Sequence, residues 1–486
     1  MPHPLIELDR SSPEPLYRQV RRAIEHGIAA GTFDPGHRLP SSRELSAELG
    51  VSRNTINLAY QELVAEGFVE SRERSGLFVN AEMRSPCPAP EQRARPRIDW
   101  SDRVRRFPDA GVPHLEKRTD WHTYPYPFVA GQMDVSAFPA RSWTRCLRDA
   151  LYRPHLFPAL QDSVGADDPM LVDLVCRHLL TARGIEADPA EVLITVGSQQ
   201  GLDLLGRALL GPEHLVAMEN PGYLDARHIF LRTGAGVRGL PVDQGGLLPP
   251  DDLADIDLLY LTPSHQHPTN VTLSIGRRRR LLELAAAAGT VVVEDDYDSE
   301  FRYQGSPTPA LKALDGSGDV VYLGTFSKFL SPGLRLGYLA APRELVRELR
   351  EIRRYVLRHP PGHLQRAMAL LIDSGEYQRS LRRYRTKLMR KWEATCAAVA
   401  EHLPWPQGPY PPGGVSLWMT GPSTLDCRRL AERAERDGVL IEGGDLFFLG
   451  GEPPRNHFRV GFAAIPPRAI EPGIRLLGQV CRELLG

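Results

Sequence analysis

Between residues 192 and 325 short apolar runs recur, each closed by a loop of polar and turn-forming residues. Val192-Leu193-Ile194-Thr195-Val196 precedes Gly197 and a helical pattern through Leu210. Leu215–Met218 precedes Glu219-Asn220-Pro221-Gly222-Tyr223, and Leu258–Leu261 runs into Thr262-Pro263-Ser264. Val291-Val292-Val293 leads to Glu294-Asp295-Asp296-Tyr297, and Val320–Leu323 to Gly324-Thr325-Phe326-Ser327-Lys328. Unbroken apolar runs of this length, spaced by helical stretches, read as buried strands of an open α/β sheet with ligand groups at the strand carboxyl ends. At 486 residues the chain exceeds what one core organises, so further domains are expected.

The strand ends carry a recognisable set of chemistries. Lys328 lies just past a strand, among the hydroxyls of Thr325, Ser327 and Ser331, and Arg335 follows after a Pro332-Gly333 turn. An amine so placed can form a Schiff base with a carbonyl cofactor, while hydroxyls and a guanidinium hold a phosphate, which is what pyridoxal phosphate (PLP) requires. Gly197-Ser198-Gln199-Gln200 opens a helix, whose free N–H groups favour a phosphate, although a plain helix cap is the commoner reading. Asp295 can pair with a protonated pyridine nitrogen, though Asp296 and Asp298 beside it leave a solvated acid as an alternative. Tyr223 offers a ring to stack on a flat cofactor, or a buried plug, and Tyr297 a phenol near Lys328. In the order phosphate cap, aromatic, polar loop, acid, lysine and arginine, these residues together describe a cofactor site.

The first eighty residues follow different rules. Leu16, Val20, Ile24 and Ile28 form one helical stripe that Gly31 ends. Ser41 or Ser42 can cap a helix stopped by Gly50, and Ser52 caps a second through about Glu66, with Ile56, Tyr60, Leu63 and Val64 facing inward. Phe68–Ser71 and Gly76–Val79 read as two strands around a charged tip, Arg72-Glu73-Arg74-Ser75, completing a winged-helix order. With nine arginines, no lysine and eleven acids, residues 1–80 are slightly acidic, so DNA affinity must come from a local cluster. Residues 81 to about 110, rich in Pro and Arg, read as a linker. Arg277-Arg278-Arg279-Arg280 reads as a solvated face at a helix start. Six cysteines without a C-x-x-C pair argue against zinc or disulfides, and no apolar run reaches the roughly 18 residues of a membrane span, so a cytoplasmic protein without metal is expected.

The motifs L-P-S-S-R-E-L-S-x-x-L-G-V-S-R-N-T-I, S-Q-Q-G-L-D, T-P-S-H-Q-x-P-T, E-D-D-Y-D-S-E-F-R-Y and T-F-S-K resemble those of the MocR/GabR family of bacterial transcription regulators. The resemblance implies an N-terminal α+β winged helix-turn-helix of the GntR type over residues 10–80 and a linker over 81–123. Over 124–486 it implies an α/β fold-type I PLP-dependent aminotransferase-like domain with a smaller C-terminal subdomain. It further implies Lys328 as the Schiff-base lysine, Asp295 on the pyridine nitrogen, Tyr297 on the phenolic oxygen and Tyr223 stacked on the ring. Ser198, Gln199, Thr325, Ser327 and Arg335 would bind the phosphate, and Arg459 a ligand carboxylate. For DNA it points to Arg43 and to Ser52, Arg53, Asn54, Thr55 and Asn57 at the start of the recognition helix.

The chain departs from that pattern at three places. His267 stands at the cofactor where Phe or Tyr is usual in the family and Asn in aminotransferases; Asn270 replaces the common Gly after P-T; and Gly165–Val172 lacks the usual Leu-Arg pair. The expected function is a homodimeric regulator that binds a double-stranded DNA operator and senses an amine, an amino acid or PLP itself. A working aminotransferase with a DNA-binding appendage shares every cofactor residue and stays open as the alternative.

Overall fold

The computed structural model describes residues 6, 8–72, 75–82, 98–103, 113–115, 117–305, 308–406 and 408–486. The chain forms two compact units, Met1–Arg106 and Phe107–Gly486. Most of the Pro/Arg-rich stretch and the tip residues Glu73 and Arg74 lie outside the described residues.

In the first unit, helices α1 (Leu16–Ala29), α2 (Ser42–Leu49) and α3 (Arg53–Ala65) precede the antiparallel hairpin β1 (Val69–Arg72) and β2 (Gly76–Val79). The α1 stripe buries Val20, Ile24 and Ile28 against Ile56, Ala59, Tyr60 and Leu63 of α3. Ser41 accepts the Glu44 N–H while the Glu44 carboxylate accepts the Ser41 N–H, a reciprocal cap worth about 1 kcal/mol. Gly50 then leaves α2 at φ 62, a left-handed turn that only a residue without Cβ adopts freely. Val64, expected inside, is 37% exposed: it lies one residue past Leu63 and rotates off the stripe that α1 covers.

The second unit is built on an eight-stranded sheet ordered β4-β11-β10-β9-β8-β5-β6-β7. The short β3 (Tyr126–Pro127) lies apart from it. The sheet strands are β4 (Val192–Thr195), β5 (Leu215–Asn220), β6 (Gly236–Asp243), β7 (Gly246–Leu247), β8 (Leu258–Leu261), β9 (Val291–Asp295), β10 (Val320–Thr325) and β11 (Gly337–Ala340). Strands β6, β5, β8, β9 and β10 run parallel; β11 is antiparallel to both neighbours. Every residue of β4, β8 and β10 is buried, as unbroken apolar runs covered on both faces require. The parallel strands all point their carboxyl ends toward one edge, and the polar loops collect there.

Beyond the sheet, β12 (Ser416–Thr420), β14 (Glu442–Gly443) and β15 (His457–Gly461) make a smaller sheet ordered β12-β15-β14. It belongs to a C-terminal subdomain with helices Glu376–His402, Cys427–Arg436 and Pro467–Leu485, while β13 (Val439–Leu440) pairs with β3. The Arg277–Arg280 run is not uniformly solvated. Arg278 is fully buried and donates to the carbonyls of Pro263, Leu273 and Pro309, and Arg277 pairs with Asp243. Its helix turns that side chain inward, where loop carbonyls need donors; Arg279 and Arg280 stay exposed. In Gly165–Val172, Asp167 pairs with buried Arg353 at 2.7 Å, and Asp168 caps the helix from Pro169 while holding Arg366. Among the described residues no helix is long and apolar enough to cross a membrane.

Candidate functional site

The cavity at the strand ends is lined by Ser198, Tyr223, Asp225, Tyr260, Thr262, His267, Asn270, Asp295, Tyr297, Lys328, Phe447 and Arg459, together with Leu115 and Lys117. Its non-protein space, open mouth included, is about 820 Å³. Five strand ends deliver these groups: β4 leads to Ser198, β5 to Tyr223, β8 to Thr262 and His267, β9 to Asp295, and β10 to Lys328. Burial pushes the Lys328 ammonium below the ordinary lysine value; Arg459 and Lys117 push the same way, against Asp298 and Asp295. A lysine so shifted more readily presents the free amine that attacks a carbonyl. Its Nζ lies 5.3 Å from the centre of the Tyr297 ring.

The pleat of β9 separates its acids. Asp295 turns to the cavity, where its Oδ2 accepts from the Tyr260 phenol at 2.8 Å. Its neighbours serve the structure: Glu294 accepts the N–H groups of Leu311 and Lys312, and Asp296 accepts from Arg183 and Tyr322 at 2.7 Å each. Asp298 bonds His265. Burial raises Asp295 to about 7, outweighing the Tyr260 hydrogen bond and Lys328. Burial would raise Asp296 too, but Arg183 together with hydrogen bonds from Ser264, Tyr322 and Ser299 outweighs it and holds the carboxyl below its usual value.

Among the buried atoms in or beside this cavity that have no hydrogen-bond partner are Asp295 Oδ1 and Ser327 Oγ. Orphaned buried polar atoms are costly, and these two want a cationic N–H and an acceptor, the pair that a pyridinium and a phosphate supply. The phosphate side is shaped to match. Gly197, at φ 77, precedes Ser198 at the start of the helix Ser198–Leu209, and a Cβ there would lie 2.8 Å from Arg335 Nη2. Thr325 Oγ1 accepts the Ser327 N–H and so fixes the turn before Lys328. Gln199 is exposed, and neither its side chain nor those of Thr325, Ser327 and Arg335 line the cavity. The residues that line the cavity thus fit PLP.

His267 sits among three rings, those of Tyr223, Phe447 and Tyr297, at 5.1, 5.4 and 6.1 Å. Burial, then the charge of Arg459, pushes its pKa well down, so the ring is neutral. Its Nε2 accepts from Arg459 Nη1 at 2.8 Å, and the remaining N–H at Nδ1 is buried without a partner. The loop is braced by the His267 N–H on Thr262 Oγ1 and by Thr262 on Glu219. Asn270 adopts φ 62, a left-handed conformation that asparagine tolerates, and its side chain donates to the Ser416 carbonyl. Arg459 is not free: Nε and Nη2 bond Glu442 Oε2 at 2.7 and 2.5 Å. Sequence reasoning missed Tyr260, Glu442, Phe447 and Lys117. Only Tyr260 left a trace there, as a phenol inside an otherwise aliphatic strand.

In the winged helix, Ser52 caps α3 and its hydroxyl bonds Thr55 Oγ1, so both side chains are engaged. Arg43, Arg53, Asn54 and Asn57 are exposed, and the two arginines have no ion pair among the described residues.

A winged helix joined to a fold-type I aminotransferase-like domain with a PLP cradle defines a PLP-dependent transcription regulator. Family models agree: "Bacterial regulatory proteins, gntR family" matches residues 16–79 and "Aminotransferase class I and II" residues 157–477. The HTH-type transcriptional regulator TauR of Rhodobacter capsulatus is 42% identical over 470 residues, 96% of each chain. The HTH-type pyridoxine biosynthesis transcriptional regulator PdxR of Corynebacterium glutamicum is 32% identical over 379 residues, 77% of this chain and 76% of PdxR. Among solved structures, the α-aminoadipate aminotransferase LysN of Thermus thermophilus superposes with a TM-score of 0.71 at 30% identity, covering 80% of this chain and 99% of LysN. The chain belongs to the MocR/GabR family of bacterial transcription regulators, and its cofactor is PLP.

Proposed function

We propose that this regulator senses a small amine or amino acid through PLP bonded to Lys328, and that effector binding changes how it engages a double-stranded operator. The observation that carries this reading is the pair of unpartnered buried atoms, Asp295 Oδ1 and Ser327 Oγ, beside a lysine whose ammonium is destabilised. PLP, when bound, supplies an aldehyde carbon that bonds amines and a ring that withdraws electrons. Asp295 keeps the ring nitrogen protonated, Tyr297 bonds the phenolic oxygen and Tyr223 covers the ring with His267 beside it. Ser198, Ser327 and Arg335 hold the phosphate, with Thr325 setting the turn. Arg459 directs its remaining N–H donors at the effector's acid group.

On the DNA side, Arg43, Arg53, Asn54 and Asn57 contact the operator, while Ser52 and Thr55 hold the recognition helix in shape. Residues 10–80 would then be the reading head, 81–123 the connection and 124–486 the sensor. A homodimer matches two half-sites, and the effector shifts the population of its DNA-competent form. The test is Lys328→Ala: loss of the visible absorbance band of the PLP-loaded protein is expected, together with loss of effector-dependent change in an operator mobility shift. A band that persists sinks the assignment of Lys328. Steady keto-acid production from an amino acid would favour the working-aminotransferase reading instead.

A further inference from the structure

Charge accounting inside the cavity leaves one cation unanswered. Arg459 is buried, and its positive charge is already met by Glu442, which takes Nε and Nη2 on one oxygen and the Ala130 N–H on the other. An acid group docking on this guanidinium would therefore bring a second negative charge next to the Glu442 carboxylate, and His267, being neutral, offers no compensation. Lys117 lines the same cavity and forms no ion pair among the described residues. Its charge reaches the cavity interior, since it contributes to lowering both Lys328 and His267. The backbone that carries it is pinned: His228 bonds the Pro113 carbonyl at 3.0 Å and stacks on His114 at 4.3 Å, and Arg118 pairs with Asp120 and Glu435.

We infer that Lys117 is the residue that answers the negative charge of an acid-bearing effector, while Arg459, neutralised by Glu442, supplies hydrogen-bond geometry. This deepens the proposed function and rests on it. It also puts the effector's charge on the stretch of chain that arrives from the DNA-binding unit, ten residues past Phe107, where the second unit begins.

The test uses full-length, PLP-loaded protein and the effector-induced change of its visible band. Glycine, 3-aminopropanoate and 4-aminobutanoate are each titrated against methylamine, ethylamine and propylamine, the amines of matching length without the acid. The wild type is expected to half-saturate with at least one amino acid at lower concentration than with its amine. Lys117→Gln should cut that preference about two- to fivefold, the range an exposed charge contact allows, and Lys117→Arg should restore it. Glu442→Gln should move the preference the other way, by releasing the guanidinium's charge. The inference is overturned if no amino acid is preferred in the wild type, if Lys117→Gln keeps the preference, or if Glu442→Gln fails to raise it. Absence of a visible band in the wild type would instead sink the PLP sensing on which the inference rests.

Discussion

Replacing Asp295 by asparagine separates two effects that the wild-type carboxylate combines. In the protein without cofactor, burial raises this group from 3.8 to about 7. A rise of that size corresponds to at most about 4 kcal/mol of ionisation cost, at about 1.36 kcal/mol per unit. The sign follows from a folded-state value above the unfolded one. No cost exists below about pH 4; it grows as pH rises and levels off above about pH 7, where both states are ionised. The substituted amide has nothing to ionise, and its oxygen still accepts from Tyr260. The apoprotein of Asp295→Asn should therefore melt higher than the wild type at pH 8, by roughly 3–6 °C, with the gap closing near pH 4. PLP binding should move oppositely. Losing the charged partner of the ring nitrogen costs about 1.5–3 kcal/mol, or roughly tenfold to a hundredfold in affinity. Thermal melts across pH and a spectroscopic PLP titration read the two effects separately. A variant that melts no higher at pH 8, or that binds PLP within about twofold of wild type, would refute the reasoning.

Gly197→Ala should weaken PLP binding several-fold, because its Cβ would press on Arg335 and its φ of 77 costs an L residue about 1–2 kcal/mol. Pyridoxal, which lacks the phosphate, should bind the variant and the wild type alike in the same titration; an equal loss would place the effect elsewhere. Arg53→Ala should weaken operator binding and reduce the dependence of log affinity on log salt by about one unit, while the visible band stays intact. Ser41→Ala removes the reciprocal cap of α2 and should destabilise the winged-helix unit by about 1 kcal/mol in a denaturant melt. Ser42→Ala, which leaves that cap in place, is the control.

The parallel strands were legible because their apolar runs are unbroken and end in polar loops, which only a doubly covered sheet explains. Lys328, Asp295 and Tyr223 were legible for the same reason, since each follows such a run. The groups that escaped lie where periodicity carries no signal. Glu442 sits in a two-residue strand, and it meets Arg459 only because β14 pairs with β15 and sets the two opposite each other. Lys117 lies outside any strand or helix, and nothing near it in the chain marks it as facing a cavity. Arg278 looked like part of a solvated run because four arginines in a row hide the one that the helix turns inward. Gln199 follows Ser198 at a helix start, and the helix turns its side chain out to solvent, a direction that its place in the chain does not reveal.

The alternation along β9 has a consequence for how this chain can change length. Glu294, Asp295 and Asp296 are chemically near-equivalent, and only their parity along the strand decides which one meets the cofactor. A single residue gained within Val291–Asp295 would seat Glu294 in the cavity and take it from Arg278, which it faces at 3.7 Å, whereas a single residue lost would seat Asp296 there and take it from Arg183. The same edit in the turn at Gly316–Gly318 before β10, or in the exposed loop at Asp251–Asp252, would leave this parity untouched. Tolerance to insertion and deletion should thus drop sharply across five residues of one strand, and a scan of single-codon indels read by the visible band would map that boundary.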